Sequence, residues 1–236
     1  MPNLIFTNAW VSQSAKILFR GATPPDATKF RLALANTATL TRSNLLADFL
    51  ASELLPVNSY ARVSTNFSDG SYNATLSRYE LPTVSASFAA SGGSLQFQTA
   101  FLIANSSATA SQYFTNANVN PTSDRITLPS HGFVNGDQIT FTADALAVLP
   151  TGIVAGTVYT AANVTTNDFQ LTFMLSGVET GVDITDTGSG TFRARSANGI
   201  IVAYAVESTP ITIFDGQGYS YNIPLVVLNS GYVTGS

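Results

Sequence analysis

The stretch "SLQFQTAFLIA" (residues 94–104) decides the fold, together with its counterpart "GIIVAYAVE" (residues 199–207). Both are strongly apolar runs, so each is predicted to be a buried strand that needs hydrogen-bonded neighbours. The segment that separates them has a different character. If that segment folds by itself, the two apolar strands can pair directly as the arms of one interrupted hairpin.

The intervening segment, residues 113–195, is predicted to be a small β-barrel module. It contains a dense series of turn sequences ("HG", "NGD", "PTG", "TND" and "TGSG") and two strand-forming regions, 119–141 and 159–173. Insertions are tolerated at surface turns. The sequence therefore predicts a discontinuous host domain, residues 1–112 and 196–236, that is interrupted by the module.

The host domain is predicted to be a β-sandwich, jelly-roll-like, with two short helices, which makes the fold class all-β. "KFRLALA" (29–35) alternates as a half-buried strand does, and short strands with Gly and Asn turns follow from residue 60 onward. The second helix lies in "TRSNLLADFLASELLP" (41–56), with Ser43 as its N-cap and Pro56 as its stop. Its apolar positions at helical spacing are Leu45, Leu46, Phe49, Leu50 and Leu54.

The first helix is predicted over residues 8–19, "NAWVSQSAKILF", with Asn8 as its N-cap and Gly21 ending it. Its apolar side chains share one helical face, and they are Trp10, Val11, Ala15, Leu18 and Phe19.

The chain has few charges. Of its 236 residues 10% are charged and 45% are hydrophobic, against roughly 25% charged in a typical globular domain. Free proteins use surface charge for solubility, so the shortage indicates that much of the surface contacts other protein. The net charge is −4 and no basic run is present, which argues against nucleic-acid binding. No membrane span is predicted, and the absence of cysteine excludes disulfides and thiol catalysis.

His131 is the one histidine of the chain and lies in "SHGFVNGDQITF" (130–141). Gly132 and Gly136 permit positive φ, and Asp137 can accept hydrogen bonds from backbone amides in a turn. Triad chemistry would need a nucleophile and an orienting carboxylate, and no motif singles out either. We therefore predict a structural role for His131 and no catalytic residue.

Asp183 and Asp186, in "GVDITDTGSG" (181–190), are the candidate pair for a cation site. Carboxylate oxygens suit Ca²⁺, but the spacing does not match an EF-hand loop, so turn formation is the preferred interpretation. The four Glu residues are scattered and form no pair for glycoside hydrolysis. No metal or cofactor is predicted.

Two glycine pairs and one tyrosine pair are candidate binding motifs. "GSG" (188–190) and "GQG" (216–218) lack the strand–loop–helix context of phosphate loops and are predicted to be hairpin turns. "YSYN" (219–222) could contact a glycan, but alternating tyrosines are more typical of packing on a sheet surface.

The module resembles a small β module that recurs in virion proteins of tailed phages. The matching sequences are "DRITLPSHGFVNGDQITFTA" (124–143), "LPTGIVAGTVYTAANVTTNDFQLTF" (149–173) and "GVDITDTGSGTF" (181–192). That module is similar to the barrel-like first catalytic cysteine half-domain of ubiquitin-activating enzymes, which does not contain the catalytic cysteine.

The host domain resembles a family of small phage structural proteins. The corresponding segments are "KFRLALA" (29–35), "NSYARVSTNF" (58–67), "YELPTVSASF" (79–88), "SLQFQTAFLIAN" (94–105) and "STPITIFDGQGYSYNIPLVVL" (208–228). Ser59 stands where the family has the glycine of its "GYAR" stretch. The resemblance implies a part of the virion.

These observations favour a phage virion structural protein. The first hypothesis is a capsid cement or decoration protein that stabilises the shell at subunit junctions. It implies a place on the capsid surface, self-association as a homotrimer, and binding to the major capsid protein or other virion proteins. A tail, baseplate or fibre component for host attachment is the alternative, and a carbohydrate-active enzyme is a third hypothesis.

The candidate interface lies in the first and last segments of the sequence, which are too apolar to lie loose in water. Its residues are Leu4, Ile5, Phe6, Trp10, Leu225, Val226, Val227 and Leu228.

Overall fold

The computed structural model describes residues 5–25, 27–68, 71–75, 78–80, 83–104, 106, 111–223 and 226–227. Within them the chain is all-β with two α-helices, α1 (Asn8–Arg20) and α2 (Leu46–Ser52), which confirms the predicted fold class. The strands are β1 (Ile5–Phe6), β2 (Arg31–Ala35), β3 (Val63–Ser64), β4 (Ser71–Asn73), β5 (Arg78–Glu80), β6 (Val84–Ala89), β7 (Leu95–Ala104), β8 (Ser111–Thr115), β9 (Val119–Asn120), β10 (Arg125–Thr127), β11 (Gln138–Ala143), β12 (Val158–Ala162), β13 (Asp168–Leu175), β14 (Val178–Gly181), β15 (Thr191–Ser196), β16 (Ile200–Ile213), β17 (Gly218–Ile223) and β18 (Val226–Val227).

A five-stranded antiparallel sheet in the order β1-β16-β7-β2-β3 lies at the centre of the host residues. One of its faces packs against the two-stranded β6–β17 sheet, and Phe88, Phe97 and Tyr221 belong to the core between them. Its other face packs against α2, where Phe49 contacts Phe101 in a second core. A small sheet, β4-β5-β18, completes the described part of the host.

The pairing of β7 with β16 runs from Ala104 opposite Ile200 to Leu95 opposite Ile213. The predicted pairing of the two apolar arms is therefore confirmed. The register shifts between Val206 and Ile211, so residues 207–210 bulge out of the ladder. β16 continues beyond this bulge into the "ITIF" sequence. The sequence pattern predicts two separate strands here, and the structure has one.

β2 is buried on both faces, so the prediction of a half-buried strand is wrong. Leu32 and Leu34 face the core under the β6–β17 sheet, while Ala33 and Ala35 face the core under α2. All four are fully buried. The alanines look like the solvent side of an amphipathic strand, but here they are the small side chains over which a helix packs.

α1 begins at the predicted residue and ends one residue later than predicted, at Arg20, but its N-cap is Thr7 and not Asn8. The Thr7 hydroxyl accepts a hydrogen bond from Trp10 N–H (3.2 Å) and donates one to the Ile201 carbonyl (2.5 Å). A buried threonine therefore caps the helix and ties it to β16. Gly21 ends the helix in the left-handed region at φ 65°, as predicted.

α2 is shorter than predicted, and Ser43 does not cap it. The N-cap position is Leu45, whose N–H donates to the Asp48 carboxylate in the first turn (2.8 Å). The helix ends at Ser52, and Leu54 lies beyond it with its N–H bonded to a β2 carbonyl (2.9 Å).

Residues 111–196 form an eight-stranded antiparallel sheet in the order β8-β15-β11-β12-β13-β10-β9, with β14 paired to β13. It surrounds a third core whose buried members all lie between residues 114 and 194. Ser111 pairs with Arg195, so the chain enters and leaves this unit about 5 Å apart. A ladder between β8 and β9, which would close the barrel, is not seen among the described strands.

Excising residues 113–195 and joining Gln112 to Ser196 is expected to leave a folded host domain, because both host cores are built from other parts of the chain. Thermal unfolding, monitored by circular dichroism, should show a cooperative transition for the shortened chain. Residues 111–196 expressed alone should show a cooperative transition of their own. An insoluble, molten host together with a module that does not fold would contradict the two-domain prediction.

Candidate functional site

His131 is packed into the turn that precedes β11. Its side chain is buried, its Nδ1 accepts a hydrogen bond from Phe133 N–H (3.0 Å), and its ring lies 5.3 Å from that of Phe133 and 5.1 Å from that of Phe169. Gly132 and Gly136 have positive φ, as predicted. The Asp137 carboxylate accepts from a backbone amide of the same turn, Val134 N–H (3.0 Å). The surroundings of His131 are those of a packed aromatic cluster.

Burial lowers the pKa of His131 below its ordinary value of 6.5, although backbone groups of Asp168 and Thr165 oppose the shift. The Nδ1 atom that accepts from Phe133 N–H must be unprotonated, so the neutral tautomer carries its proton on Nε2. Protonation would place two N–H groups against each other. The folded chain therefore favours the neutral imidazole.

Asp186 and Asp183 have different surroundings. The Asp186 carboxylate joins two loops, because it accepts from Thr151 N–H (2.9 Å), the Thr151 hydroxyl (2.5 Å) and Gly188 N–H (2.8 Å). These bonds, that of the Thr151 hydroxyl foremost, lower the pKa of Asp186. Asp183 instead lines a shallow cavity of about 270 Å³ that also includes Asp124. No group of three or more metal-ligating side chains occurs in the described part of the chain.

The two glycine loops are not hairpin turns, which corrects that prediction. Gly188 and Gly190 precede β15, and a Cβ at Gly188 would lie 2.4 Å from the Val148 carbonyl oxygen. Glycine is needed there because another loop crosses at close range. The turn at Gly216 (φ 77°) carries the chain from the five-stranded sheet to the β6–β17 sheet.

The tyrosines of "YSYN" pack on the sheet, as preferred from the sequence. Tyr221 is 1% exposed, and Tyr219 packs on the same core. The opposite face of β17 is polar: Ser220 bonds Ser87 (2.9 Å) across the two strands.

A buried ionic network lies where the host meets the module. Arg62 forms a bidentate ion pair with Glu53, at 2.8 and 2.7 Å, and both side chains are almost fully buried. Tyr60 donates to the same carboxylate (3.1 Å), and Arg62 also donates to the Ser196 carbonyl at the end of β15 (3.3 Å). Arg195 donates to the Leu50 carbonyl from the module side.

This network was not identified from the sequence as a site. Buried, paired ionisable groups are a common mark of function, but side-chain exposures of 0% and 1% leave no path for a substrate to Arg62 or Glu53. The "YAR" sequence at 60–62 was part of the resemblance to phage structural proteins, which assigned no role to Arg62 or Glu53. We interpret the network as a structural link between the host and the module.

The predicted interface residues divide into several groups. Ile5 is 41% exposed at the edge of the five-stranded sheet, whereas Phe6 and Trp10 are half-buried against the chain's own core. Val226 and Val227 form β18, which pairs with β5. Leu4, Leu225 and Leu228 lie outside the described residues.

α1 presents an apolar face to the outside that was not included in that prediction. The face consists of Val11, Ala15, Leu18 and Phe19, and we call it the α1 face. Leu18 is 74% and Phe19 83% exposed, and no residue of the helix is fully buried. A groove of about 410 Å³ runs along the face; its lining residues are Ser12, Ala15, Lys16, Phe19 and Arg20. The helix contains no acidic residue.

A second exposed apolar surface lies on a hairpin of the module. The β13–β14 hairpin carries Met174, Leu175 and Val178, which are 56–65% exposed, followed by Glu179. We call these four residues the module tip. Leu146, Val148 and Val154 are also exposed in the loop between β11 and β12.

The module also carries the negative charge of the chain. Residues 113–195 contain seven Asp and Glu, three Arg and no Lys, while acidic and basic residues balance in the rest of the sequence. Arg125 pairs with Asp168, Arg193 pairs with Asp144, and Arg195 is buried at the junction. The outer surface of the module is therefore acidic.

Neither described helix is long and apolar enough to cross a membrane. Comparisons with protein-family models, with curated proteins and with solved structures gave no match to this chain.

Arg62→Met is expected to lower the free energy of unfolding by about 3–5 kcal/mol, because it leaves the Glu53 carboxylate buried without its partner. The matched control is Arg125→Met in the pair with Asp168, whose side chains are 29% and 31% exposed; its cost should be about 1 kcal/mol or less. Urea denaturation measures both. Equal costs for the two variants would show that the buried network is not the structural link.

Lowering the pH from about 7.5 to about 5.5 is expected to destabilise the chain through His131. Its folded pKa is depressed, so its contribution is complete above the unfolded pKa and is lost as the pH falls through the folded pKa. His131→Asn keeps an acceptor for Phe133 N–H and should flatten this part of the stability profile. Denaturation midpoints across the pH range test it, and an unchanged slope in the variant would assign the effect elsewhere.

Proposed function

We propose that the chain is a structural protein of a tailed-phage virion. Its role is that of a capsid cement or decoration protein, which binds the shell at subunit junctions as a homotrimer. The resemblance of the module and the host to phage virion proteins supports this proposal, as does the low proportion of charged residues.

The observation that carries an assembly role is the α1 face. Leu18 and Phe19 expose most of their side chains on a helix whose other side, through Trp10, rests on the host core. Contiguous apolar surface of this kind on a protein marks a contact with another molecule. Covering it contributes about 25 cal/mol per Å² of apolar area, less the cost of association.

The architecture suits a protein that binds without changing shape. The α1 helix is fixed to β16 by the buried Thr7 hydroxyl, so its exposed face has a defined orientation. A face held in place before binding loses little conformational entropy when it docks. Repeated attachment to many equivalent sites on a shell requires such a surface.

A tail, baseplate or fibre component is the second candidate. The module tip and the exposed β11–β12 loop favour it, because they give the module apolar surface that a partner can cover. The two candidates differ in where the chain lies in the particle, which antibody labelling of intact virions would resolve.

Replacing Leu18 and Phe19 by serine removes both apolar side chains from the α1 face. We expect the recombinant variant to bind virions that lack the native protein with an affinity lower by about tenfold or more. Co-sedimentation with the particles measures attachment. The control is Phe214→Ser, a 60% exposed side chain at the turn after β16, which should bind normally. A chain that is monomeric at high concentration, and whose loss leaves virions fully resistant to internal pressure, would refute the cement role.

A further inference from the structure

The geometry points to a head-to-tail contact between copies of this chain, in which the module tip of one copy docks in the groove of the α1 face of the next. This inference rests on the proposed function, since it names the partner of the α1 face. It concerns two surfaces that are exposed on the same molecule and unlike each other.

The two surfaces are both apolar. The module tip is a narrow hairpin end, turned by Ser176 (φ 50°) and Gly177 (φ 84°), and it projects Leu175 and Val178 as a pair. The groove is a shallow depression between side chains of the single helix α1, and Phe19 is its apolar side. A tight two-residue turn gives the tip a fixed form before it binds.

The charges of the two surfaces are opposite. Glu179 follows directly on the apolar pair of the tip, within a module that carries an excess of acidic residues. Lys16 and Arg20 line the groove on a helix with no acidic residue. This complementarity disfavours an anionic lipid surface or a nucleic acid as the partner of the tip, and it sets the direction in which two copies approach.

The contact must form between copies and not within one chain. Phe19 of the α1 face is 83% exposed and Leu175 of the module tip is 56% exposed in the single chain, so the two surfaces do not cover each other there. The bond from Thr7 to Ile201 fixes α1 to β16 and holds its exposed face in place. A second copy can therefore supply the surface that covers it.

A contact between unlike surfaces repeats along a series of copies. It closes into a ring, such as a trimer, if the rotation between neighbours allows it, and otherwise it continues as a filament. A hairpin tip on one helix covers less than the roughly 800 Å² per partner of a standard interface. We therefore expect weak association of two copies and firmer association once a ring closes, since each copy then makes two contacts.

The absence of cysteine from the chain allows a specific cross-linking test. The double variant Phe19→Cys/Leu175→Cys, under mild oxidation, is expected to form disulfide-linked species larger than a dimer on a non-reducing gel. The matched control Phe214→Cys/Leu175→Cys has cysteines of similar exposure and should cross-link far less. Cross-linking of the test pair no greater than that of the control overturns the inference, as does complete dimer formation by Phe19→Cys alone.

Charge reversal gives an independent measurement on the cysteine-free chain. Lys16→Glu/Arg20→Glu is expected to weaken self-association in sedimentation by roughly three- to tenfold. Adding Glu179→Lys to that chain should recover part of the loss, whereas no recovery counts against the contact. If the unmodified chain is oligomeric or binds virions while both tests fail, the head-to-tail contact is wrong and the assembly role stands. If it is monomeric and absent from virions, both are wrong.

Discussion

The antiparallel ladder between β7 and β16 is the interaction on which the rest of the structure depends. It joins two segments far apart in the sequence and brings Ala104 opposite Ile200, so the module leaves and re-enters the host at neighbouring points. Both faces of this ladder are covered, one by the β6–β17 sheet and the other by α2. The Thr7 hydroxyl also bonds the start of α1 to β16. Without this pairing neither core has its central strands.

The buried ion pair of Glu53 with Arg62 lies where the host meets the module. Two buried charges cost desolvation energy and gain it back only with good geometry and further hydrogen bonds. Both conditions hold, because the pair is bidentate and Tyr60 and the Ser196 carbonyl take up further hydrogen-bonding capacity. A shift of one residue in β15 would remove the Ser196 carbonyl from Arg62. The network therefore contributes to the register of the junction as well as to its strength.

Turns and long buried strands could be predicted from the sequence. The tertiary contacts of individual side chains could not. The positive φ values at Gly132 and Gly136 follow from a turn that is complete within a few residues. The burial of β2 depends on a helix that packs over its alanines, which no alternation pattern reveals. For α1 the sequence showed an apolar face, but not that Trp10 would rest on the core while Phe19 stayed outside. The sequence predicted Asn8 as the cap of α1, and only the contact with β16 shows why Thr7 is the cap instead.

The scarcity of charge has one consequence for a lone copy and another for an assembly. A surface with few charged side chains gives little electrostatic repulsion between copies in water, so solubility is low. The same surface costs little desolvation free energy when a partner covers it, because few charges need a new partner. The charges that remain are unevenly placed: an excess of carboxylates on the module, and Lys16 and Arg20 along an apolar helix. In such a chain apolar burial supplies the free energy of contact, and a handful of charges determines its direction. Raising the ionic strength shortens the reach of the charges and leaves the apolar part in place, so orientation should be lost before association is.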